Sequence, residues 1–363
     1  MLIVRTPVRI SFAGGGTDLP AYFERYGGAV VSATINKYFY TVLAKRSDGR
    51  VQVISSDLRK CETWQDIARM SVEGTQLEIP LAALKQFQAE ISADIFLSSE
   101  IPPGTGLGSS ASVCVNVLKT LATYLHLQQS REQLAELAYH IARDVLKKPV
   151  GKQDEYAAAF GGINFFRFER SGRVQVEPIN LAPRTLTELQ SSLMLFFTGT
   201  AHDSWTILKE QERSSAKEHS ATEVQALHGI RQLADKMRAT LVGGDLARFG
   251  ALLDEGWQAK KQVSKKISNS RIDDLYEMAK NAGALGGKIT GAGGGGFLLL
   301  YCEAENQSRV RETFKEAGVS ELGFGFDFHG AQVIANDPFI DCDERCGTNW
   351  VFVPNGPESL SWQ

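Results

Sequence analysis

Cysteine is scarce in this sequence, which contains only five in 363 residues. The five form an odd and widely spaced set, so a framework of disulfide bonds is not expected. Two of them, Cys342 and Cys346, form a C-x3-C pair in the last part of the sequence. No second pair and no histidine cluster follows to complete a four-ligand zinc site, and we therefore expect free thiols.

The sequence also lacks long apolar runs and blocks of one charge. No apolar stretch approaches the roughly 18 residues of a transmembrane helix, and the first residues alternate like a strand instead of forming a secretory signal. Lys and Arg number 39 and Asp and Glu 42, a formal net charge of -3 without a basic cluster. We therefore expect a cytoplasmic protein that binds small molecules, with no nucleic acid and no membrane as partners.

What the sequence does contain is a regular mixture of strand and helix patterns. Strand-like alternation fills much of the first hundred residues, and apolar residues at helical spacing begin at Val113. Ser130 and Gln133 fit a capping box at the start of a helix that we expect to run to Pro149. The mixture predicts an α+β protein, with its best internal boundary in the polar stretch from Ala182 to Glu188.

The most informative segment is the glycine-rich loop PPGTGLGSSAS, from Pro102 to Ser112, between a predicted strand and a predicted helix. Glycines let the backbone approach a phosphate closely, and a helix N-terminus attracts anions. The loop lacks both the Gly-Lys-Ser/Thr ending of the Walker loop and the spacing of the dinucleotide fingerprint. Taken alone, it fits either phosphate binding or an ordinary glycine-rich turn.

Two further segments accompany the loop, namely TPVRISFAGGGTDLP at Thr6 to Pro20 and KITGAGGGGF at Lys288 to Phe297. Together the three segments resemble the ordered motifs of the GHMP kinases, named for galactokinase, homoserine kinase, mevalonate kinase and phosphomevalonate kinase. The resemblance covers about residues 2–335. Within the family, GGGTDLP and PVGKQDEYAAAFGG look most like the D-glycero-D-manno-heptose 7-phosphate kinases.

The resemblance implies an ATP-dependent kinase built of two α+β halves. The N-terminal half, residues 1–182, would be like ribosomal protein S5 domain 2, and the C-terminal half, residues 183–336, would be ferredoxin-like. Residues 337–363 form an extension without an assigned role. The implied reaction transfers phosphate from ATP, with Mg2+, to the anomeric hydroxyl of a heptose 7-phosphate, giving the 1,7-bisphosphate. A homodimer is one candidate assembly.

The resemblance also assigns catalytic and nucleotide-binding roles. Asp154 would accept the proton of the attacking hydroxyl, with Glu155 as the competing candidate, and Arg9 would stabilise the transferring phosphate or keep Asp154 ionised. From the residues alone, the alternatives are a turn aspartate and a surface cation at a strand edge. Ser110 would contact magnesium through its hydroxyl. The nucleotide would be bound by Pro103, Gly104, Thr105, Gly106, Leu107, Gly108, Ser109 and Ser110.

The sugar-binding residues implied by the resemblance are Gly15, Gly16, Thr17, Asp18, His202 and Gly293. The Asp18 carboxylate would accept hydrogen bonds from sugar hydroxyls, although Thr-Asp after glycines is also typical of a turn or a helix cap. His202 lies near the position where related heptose kinases tend to carry an arginine. The alternative for His202 is a loop histidine without a role.

One position departs from the family pattern. Where a magnesium-binding glutamate is common, the sequence has Ala142, with Asp144 two residues further along. Asp144 is the second candidate magnesium ligand, although two helical residues rotate a side chain by about 200 degrees. The alternatives to a heptose phosphate kinase are a kinase for another aldose, such as fucose or galactose, a binding protein without turnover, and a decarboxylase of phosphorylated mevalonate.

Overall fold

The computed structural model describes residues 1–72, 74–87, 91–199, 221–264 and 266–337, and these contain two sheets and the helices that cover them. The strands are β1 (Leu2–Ala13), β2 (Gly28–Lys45), β3 (Val51–Ser55), β4 (Lys60–Trp64), β5 (Ala93–Ser99), β6 (Ile163–Phe168), β7 (Val174–Pro178), β8 (Leu193–Phe197), β9 (Gly286–Ile289), β10 (Phe297–Tyr301), β11 (Ser320–Glu321) and β12 (Gln332–Asn336).

The α-helices lie on the faces of these sheets and between them. They are α1 (Pro20–Tyr26), α2 (Glu78–Phe87), α3 (Ser109–Tyr124), α4 (Arg131–His140), α5 (Gln153–Phe160), α6 (Pro183–Ser192), α7 (Ala221–Gly243), α8 (Leu246–Lys261), α9 (Ser270–Asn281) and α10 (Ala304–Glu316). In the described part of the chain, no helix is both long enough and apolar enough to cross a bilayer.

The first sheet branches at β2. Its main path runs β12-β1-β2-β5-β3-β4, and β6 and β7 extend from β2. The 18-residue length of β2 allows this, because residues 28–33 pair with β6 while residues 39–45 pair with β5. On the other side of β1, β12 pairs only with residues 2–5. The edge of β1 beyond Arg5 is therefore open, and there the Arg9 backbone N–H donates to Leu107 O at 2.9 Å.

The second sheet has four antiparallel strands in the order β11-β8-β10-β9. One apolar cluster connects it to the first sheet through α7 and α8. Phe12 of β1 packs edge to face on Phe249 of α8, with ring centroids 5.2 Å apart, and Phe249 in turn meets Tyr301 of β10. Burial of these rings is favourable in proportion to the apolar area removed from water, so the two sheets share one core.

The helix predicted from Ser130 to Pro149 is interrupted in the structure. Its capping box is present, since the Ser130 hydroxyl accepts from Gln133 N and the Gln133 side chain accepts from Ser130 N. However, α4 ends at His140, and residues Ile141–Val145 form a single π turn in which Leu146 N donates to Ile141 O at 2.9 Å. A π turn inserts one extra residue, so the side chains after His140 leave the α-helical phase.

The polar stretch predicted to separate two halves is ordered as a helix. Pro183 begins α6, where proline is well tolerated because its missing N–H has no helical acceptor to lose. The chain passes through α6 into β8 of the second sheet, and it returns to the first sheet in β12, residues 332–336. The predicted division between residues 182 and 183 remains a prediction. The structure adds that β12, which follows this division in the chain, pairs with β1, which precedes it.

Asn116 ties α3 to the two central strands of the first sheet. The residue is fully buried. Its Nδ2 lies 3.2 Å from Val4 O, 3.0 Å from Thr6 Oγ1 and 3.0 Å from Phe39 O. Because buried acceptors are costly to leave unpaired, this one amide fixes the angle at which α3 crosses β1 and β2. The start of α3, which carries the glycine-rich loop, is positioned by the same contact.

Replacing Asn116 with alanine should therefore destabilise the whole protein. The loss of the hydrogen bonds and the small cavity left behind predict a decrease of about 2–4 kcal/mol in the free energy of unfolding. Urea denaturation followed by circular dichroism measures this change. Lys119→Ala on the same helix is the control, because that side chain is partly exposed and should change stability by less than about 0.5 kcal/mol. Equal stability of the two variants would contradict the assignment.

Candidate active site

A cavity of about 500 Å³ opens where three glycine-rich loops converge. The loops follow β1, precede α3 and follow β9, and they correspond to the three segments singled out in the sequence. The π turn and the residues before α5 complete the wall. A concave site of this size accommodates a small organic ligand, and polar groups converge on it from several elements.

The phosphate loop, residues 102–112, forms one side of the cavity. Gly104, Gly106 and Gly108 all have left-handed backbone conformations, with φ of 75°, 79° and 76°. α3 begins directly after them at Ser109 and is 16 residues long. Its first N–H groups have no acceptor within the helix, and the partial positive charge of the helix end is added to them. The loop is therefore suited to binding the phosphates of a ligand.

Seven of the eight predicted nucleotide-binding residues line the cavity, namely Pro103, Gly104, Thr105, Gly106, Gly108, Ser109 and Ser110. The eighth, Leu107, is directed into the core and its side chain is fully buried, so only its backbone belongs to the loop. The Ser109 hydroxyl is buried without a hydrogen-bond partner in the described structure. Such an oxygen is available to a ligand atom.

The third segment packs backbone to backbone on the phosphate loop. A Cβ added at Gly291 would lie 2.6 Å from Gly106 Cα, and one added at Gly296 would lie 2.3 Å from Thr105 O. The glycines thus permit an approach that side chains would block. Gly293, predicted to bind sugar, lies against Ile267 instead and is not among the residues that line the cavity, whereas Gly291 is.

Arg9 and Asp154 form a bidentate ion pair beside the phosphate loop. Arg9 Nε donates to Asp154 Oδ1 at 2.7 Å and Nη2 donates to Oδ2 at 2.6 Å, while Nη1 donates to Gly106 O at 2.6 Å. Arg9 lies in β1 and is almost fully buried, and Asp154 lies in the first turn of α5. Gly108 leaves the space for the pair, since a Cβ there would lie 3.3 Å from Asp154 Oδ2.

Asp18 lines the same cavity and is 4% exposed. Its Oδ1 accepts from Gly16 N at 2.9 Å and its Oδ2 accepts from Gln153 N at 3.4 Å. Burial, with a further contribution from the Asp154 charge, raises the pKa of Asp18 above its ordinary value. Gly151 makes the contact possible, because a Cβ there would lie 2.0 Å from Asp18 Oδ2.

The other predicted residues of the first loop divide into two groups. Gly15 and Gly16 line the cavity beside Asp18. Thr17 does not, because its buried hydroxyl donates to Gly14 O at 2.8 Å and accepts from Ala29 N at 3.1 Å. Thr17 therefore holds the loop against β2 instead of facing a ligand.

Glu155, the alternative candidate for the catalytic base, is a second buried carboxyl in the cavity wall. It is 2% exposed, and its Oε2 has no hydrogen-bond partner in the described structure. Burial, followed by the Asp154 charge, raises the pKa of Glu155 well above its ordinary value. The buried oxygens of Ser11 and Gln153 are likewise unpartnered and line the same space.

Two buried lysines near the site were not predicted from the sequence. Lys260 of α8 lines the cavity, and Lys288 of β9 lies behind it with its Nζ 3.4 Å from Phe12 O. Burial lowers the pKa of both, that of Lys260 to about 8. A sequence signal existed for Lys260, since Leu253, Trp257 and Lys260 recur at helical spacing on one face of α8 and are all buried.

The predicted metal ligands are separated in the structure. Ser110 lines the cavity, as does Ala142, but Asp144 is not among the lining residues. The Asp144 carboxylate is exposed and lies 2.8 Å from His140 Nδ1. His202 falls outside the described residues. Within the described ranges, no group of three His, Cys, Asp or Glu side chains forms a metal cluster.

Magnesium bound together with nucleotide phosphates does not require such a cluster, because it keeps several waters and takes only one or two protein ligands. Ser110 would supply a hydroxyl, and the buried, unpartnered oxygens of Ser109 and Glu155 would accept hydrogen bonds from coordinated water. The residues present therefore fit a magnesium ion that arrives with a nucleotide.

Comparison with known proteins agrees with this geometry. The family models for the GHMP kinases N terminal domain and the GHMP kinases C terminal domain match residues 78–162 and 233–320. The D-glycero-alpha-D-manno-heptose 7-phosphate kinase of Campylobacter jejuni is 32% identical over 329 residues, which cover 89% of this chain and 95% of that protein. The L-fucokinase/L-fucose-1-P guanylyltransferase of Bacteroides fragilis is 25% identical, over 88% of this chain and 38% of that protein.

Among solved structures, a D-glycero-D-manno-heptose 1-phosphate kinase from Bacteroides thetaiotaomicron superposes with a TM-score of 0.78 at 28% identity. The match covers 93% of this chain and 100% of that chain. These findings confirm the predicted α+β fold with its N-terminal and C-terminal family domains. The chain belongs to the GHMP kinase family.

Proposed function

We propose that this chain transfers the γ-phosphoryl group of ATP to a hydroxyl of a phosphorylated heptose. The observation that carries the proposal is the Arg9–Asp154 ion pair, which lies between the phosphate loop and the Asp18 carboxyl in one cavity. Phosphoryl transfer requires a phosphate cradle, a positioned hydroxyl and a group that accepts its proton, and the phosphate loop, Asp18 and Asp154 supply these in turn.

The cradle is the loop from Gly104 to Ser110 with the N-terminus of α3. Unpaired backbone N–H groups would bind the β- and γ-phosphates of ATP there, and magnesium would neutralise part of their charge. The third segment holds the loop in place, since Thr290 Oγ1 lies 3.3 Å from Thr105 O and Gly291 abuts Gly106. The phosphates thus meet a surface that is already formed before they bind.

Asp154 is the group that would receive the proton of the attacking hydroxyl. Both of its oxygens accept from Arg9, yet each carboxylate oxygen retains a further lone pair for a substrate proton. The Asp154 side chain is 27% exposed, so a sugar can reach it from the cavity. Asp18, held by the backbone N–H groups of Gly16 and Gln153, would orient the sugar through its other hydroxyls.

The proposed acceptor sugar is based on the names of similar proteins. One protein of similar length is named as a heptose 7-phosphate kinase and one solved neighbour as a heptose 1-phosphate kinase. We therefore propose D-glycero-D-manno-heptose 7-phosphate as the acceptor and its anomeric oxygen as the nucleophile. L-Fucose is the second candidate, supported by the similarity to a bifunctional fucokinase.

A panel of acceptors tests this proposal. With ATP and magnesium, ADP release should be fastest with D-glycero-D-manno-heptose 7-phosphate, and kcat/KM for fucose, galactose or mevalonate should be at least about 100-fold lower. Phosphorus NMR of the product should show a new phosphate on the anomeric oxygen. A preference for fucose would replace the acceptor, and the absence of ADP release with every compound would favour a binding protein without turnover.

Asp154→Asn should remove turnover while leaving the nucleotide site intact. An amide cannot accept the hydroxyl proton, so kcat should decrease by about 10²- to 10⁴-fold, while the Kd for a non-hydrolysable ATP analogue should change by less than about threefold. Asp94→Asn is the matched control, because Asp94 also accepts from an arginine, Arg46, but does so on β5 away from the cavity. Turnover near the wild-type rate in Asp154→Asn would make Glu155 the base.

Replacing Glu155 should change how the free energy of unfolding depends on pH. Its pKa in the folded state lies above its ordinary value of 4.5, so the wild type loses free energy of unfolding as pH rises from about 4.5 through the folded pKa. Relative to Glu155→Gln, this loss should be at most about 1.4 kcal/mol per pH unit. Melting temperatures at pH 5 and pH 8, without nucleotide or metal, measure it. Exposed Glu132→Gln is the control, and a pH-independent difference for Glu155→Gln would contradict the assignment.

A further inference from the structure

Lys260 is a buried cation that forms no salt bridge with a described carboxylate. The residue is 8% exposed and lies on the inward face of α8 beside fully buried Trp257. Its Nζ donates to Gly291 O at 2.5 Å. In the part of the chain that the structure describes, no carboxylate oxygen lies within 4.0 Å of it. One carbonyl satisfies one of the three N–H donors of an ammonium group, and burying such a charge is costly unless an anion balances it.

Lys260 lies close to the groups that would take part in phosphoryl transfer. Gly291, whose carbonyl it contacts, abuts Gly106 of the phosphate loop. Arg9, Asp18 and Asp154 all act electrostatically on Lys260. Lys260 and these three side chains line one cavity together with the phosphate loop. Lys288 is equally buried but does not line the cavity.

We propose that Lys260 is a catalytic residue whose ammonium group contacts the phosphoryl group while it passes from ATP to the acceptor oxygen. In this step the bond from the acceptor oxygen to Pγ forms, the bond from Pγ to the β,γ-bridging oxygen breaks, and the hydroxyl proton goes to Asp154. Lys260 remains protonated throughout and stabilises the negative charge on the transferring oxygens. Arg9 is committed to Asp154 and Gly106, which leaves this role to a second cation.

The proposal rests on the proposed phosphoryl transfer, and it adds a requirement that the Arg9–Asp154 pair does not supply. A preorganised donor aimed at developing charge typically contributes 10²- to 10³-fold to kcat. A donor that served only to bind resting ATP would instead change KM or Kd without this effect on kcat. The two roles are therefore separable by measurement.

The pH dependence of the reaction provides a further signature. Desolvation, together with the positive charge of Arg9 on β1, lowers the pKa of Lys260 to about 8. The negative charges of Asp18, in the loop after β1, and of Asp154, on α5, raise the pKa of Lys260 and partly offset this effect. Lys288 of β9 also lies near Lys260, and the Lys260 charge contributes to lowering the pKa of Lys288, whereas α7 packs on α8 with apolar side chains. The protonated form is the active one, so kcat/KM should decrease as pH rises through about 8.

Lys260→Met tests the role, with Lys261→Met as the matched control. Lys261 is the next residue, partly exposed, and lies 3.5 Å from Asp273. For Lys260→Met, kcat should decrease by at least about 100-fold, and binding of ADP with aluminium fluoride and the sugar should weaken by a similar factor. The Kd for a non-hydrolysable ATP analogue should stay within about threefold. Lys261→Met should leave all three quantities within about twofold.

Several outcomes would overturn the inference. A Lys260→Met enzyme within about threefold of the wild-type kcat would do so, as would equal weakening of the ATP analogue and the aluminium fluoride complex. If Lys260→Met fails to fold, Lys260→Arg and the wild-type pH profile decide. The decline above about pH 8 should be present in the wild type and absent in Lys260→Arg, and a flat wild-type profile would overturn the inference. An inactive wild type would instead refute the proposed function.

Discussion

The ion pair between Arg9 and Asp154 is the interaction on which the geometry of the site depends. It joins the middle of β1 to the first turn of α5, and the same guanidinium reaches the phosphate loop at Gly106 O. Arg9 is only 4% exposed, so its charge is poorly screened by solvent, and removal of Asp154 leaves that charge buried without its partner. Strand, helix and loop therefore share one fixed point, and the bidentate contact sets the direction of the Asp154 carboxylate.

Around this pair the same physical cause moves acidic and basic pKa values in opposite directions. Burial raises the pKa of Asp18 and Glu155 and lowers that of Lys260. Both shifts reduce the number of charged groups in the cavity wall. A bound polyphosphate would favour the cationic form of Lys260 and disfavour the ionised carboxyls, so the protonation of the wall adjusts to its ligand. Closing such a site to water strengthens each of these interactions.

The glycine loops can be read from the sequence because their geometry excludes side chains: a Cβ at Gly106 would lie 2.5 Å from Thr290 O. Arg9 and Asp154 are assigned from the family resemblance, and the structure brings them together beside these loops. The helical spacing of Leu253, Trp257 and Lys260 favours Lys260 over Lys261 as the buried lysine of α8, but only the docking of α8 places Lys260 in the cavity wall. Ala142 lines the cavity and Asp144 does not, which agrees with the rotation of about 200 degrees that two helical residues produce. The π turn at Ile141–Val145 itself has no reliable sequence signature. The pairing of β12 with β1 depends on residues far apart in the chain, and a five-residue strand carries little information about its partner.

That last pairing has a consequence for how the protein is made. Residues 2–5 of β1 are paired on one side with β2 and on the other with β12, whose residues 332–336 are synthesised long after them. During translation this stretch of β1 is an edge strand with free backbone groups, which other chains can pair with until β12 arrives. Arg9 lies on the same strand, so the strand that carries the site receives its last ladder of hydrogen bonds only when almost the whole described chain has emerged from the ribosome.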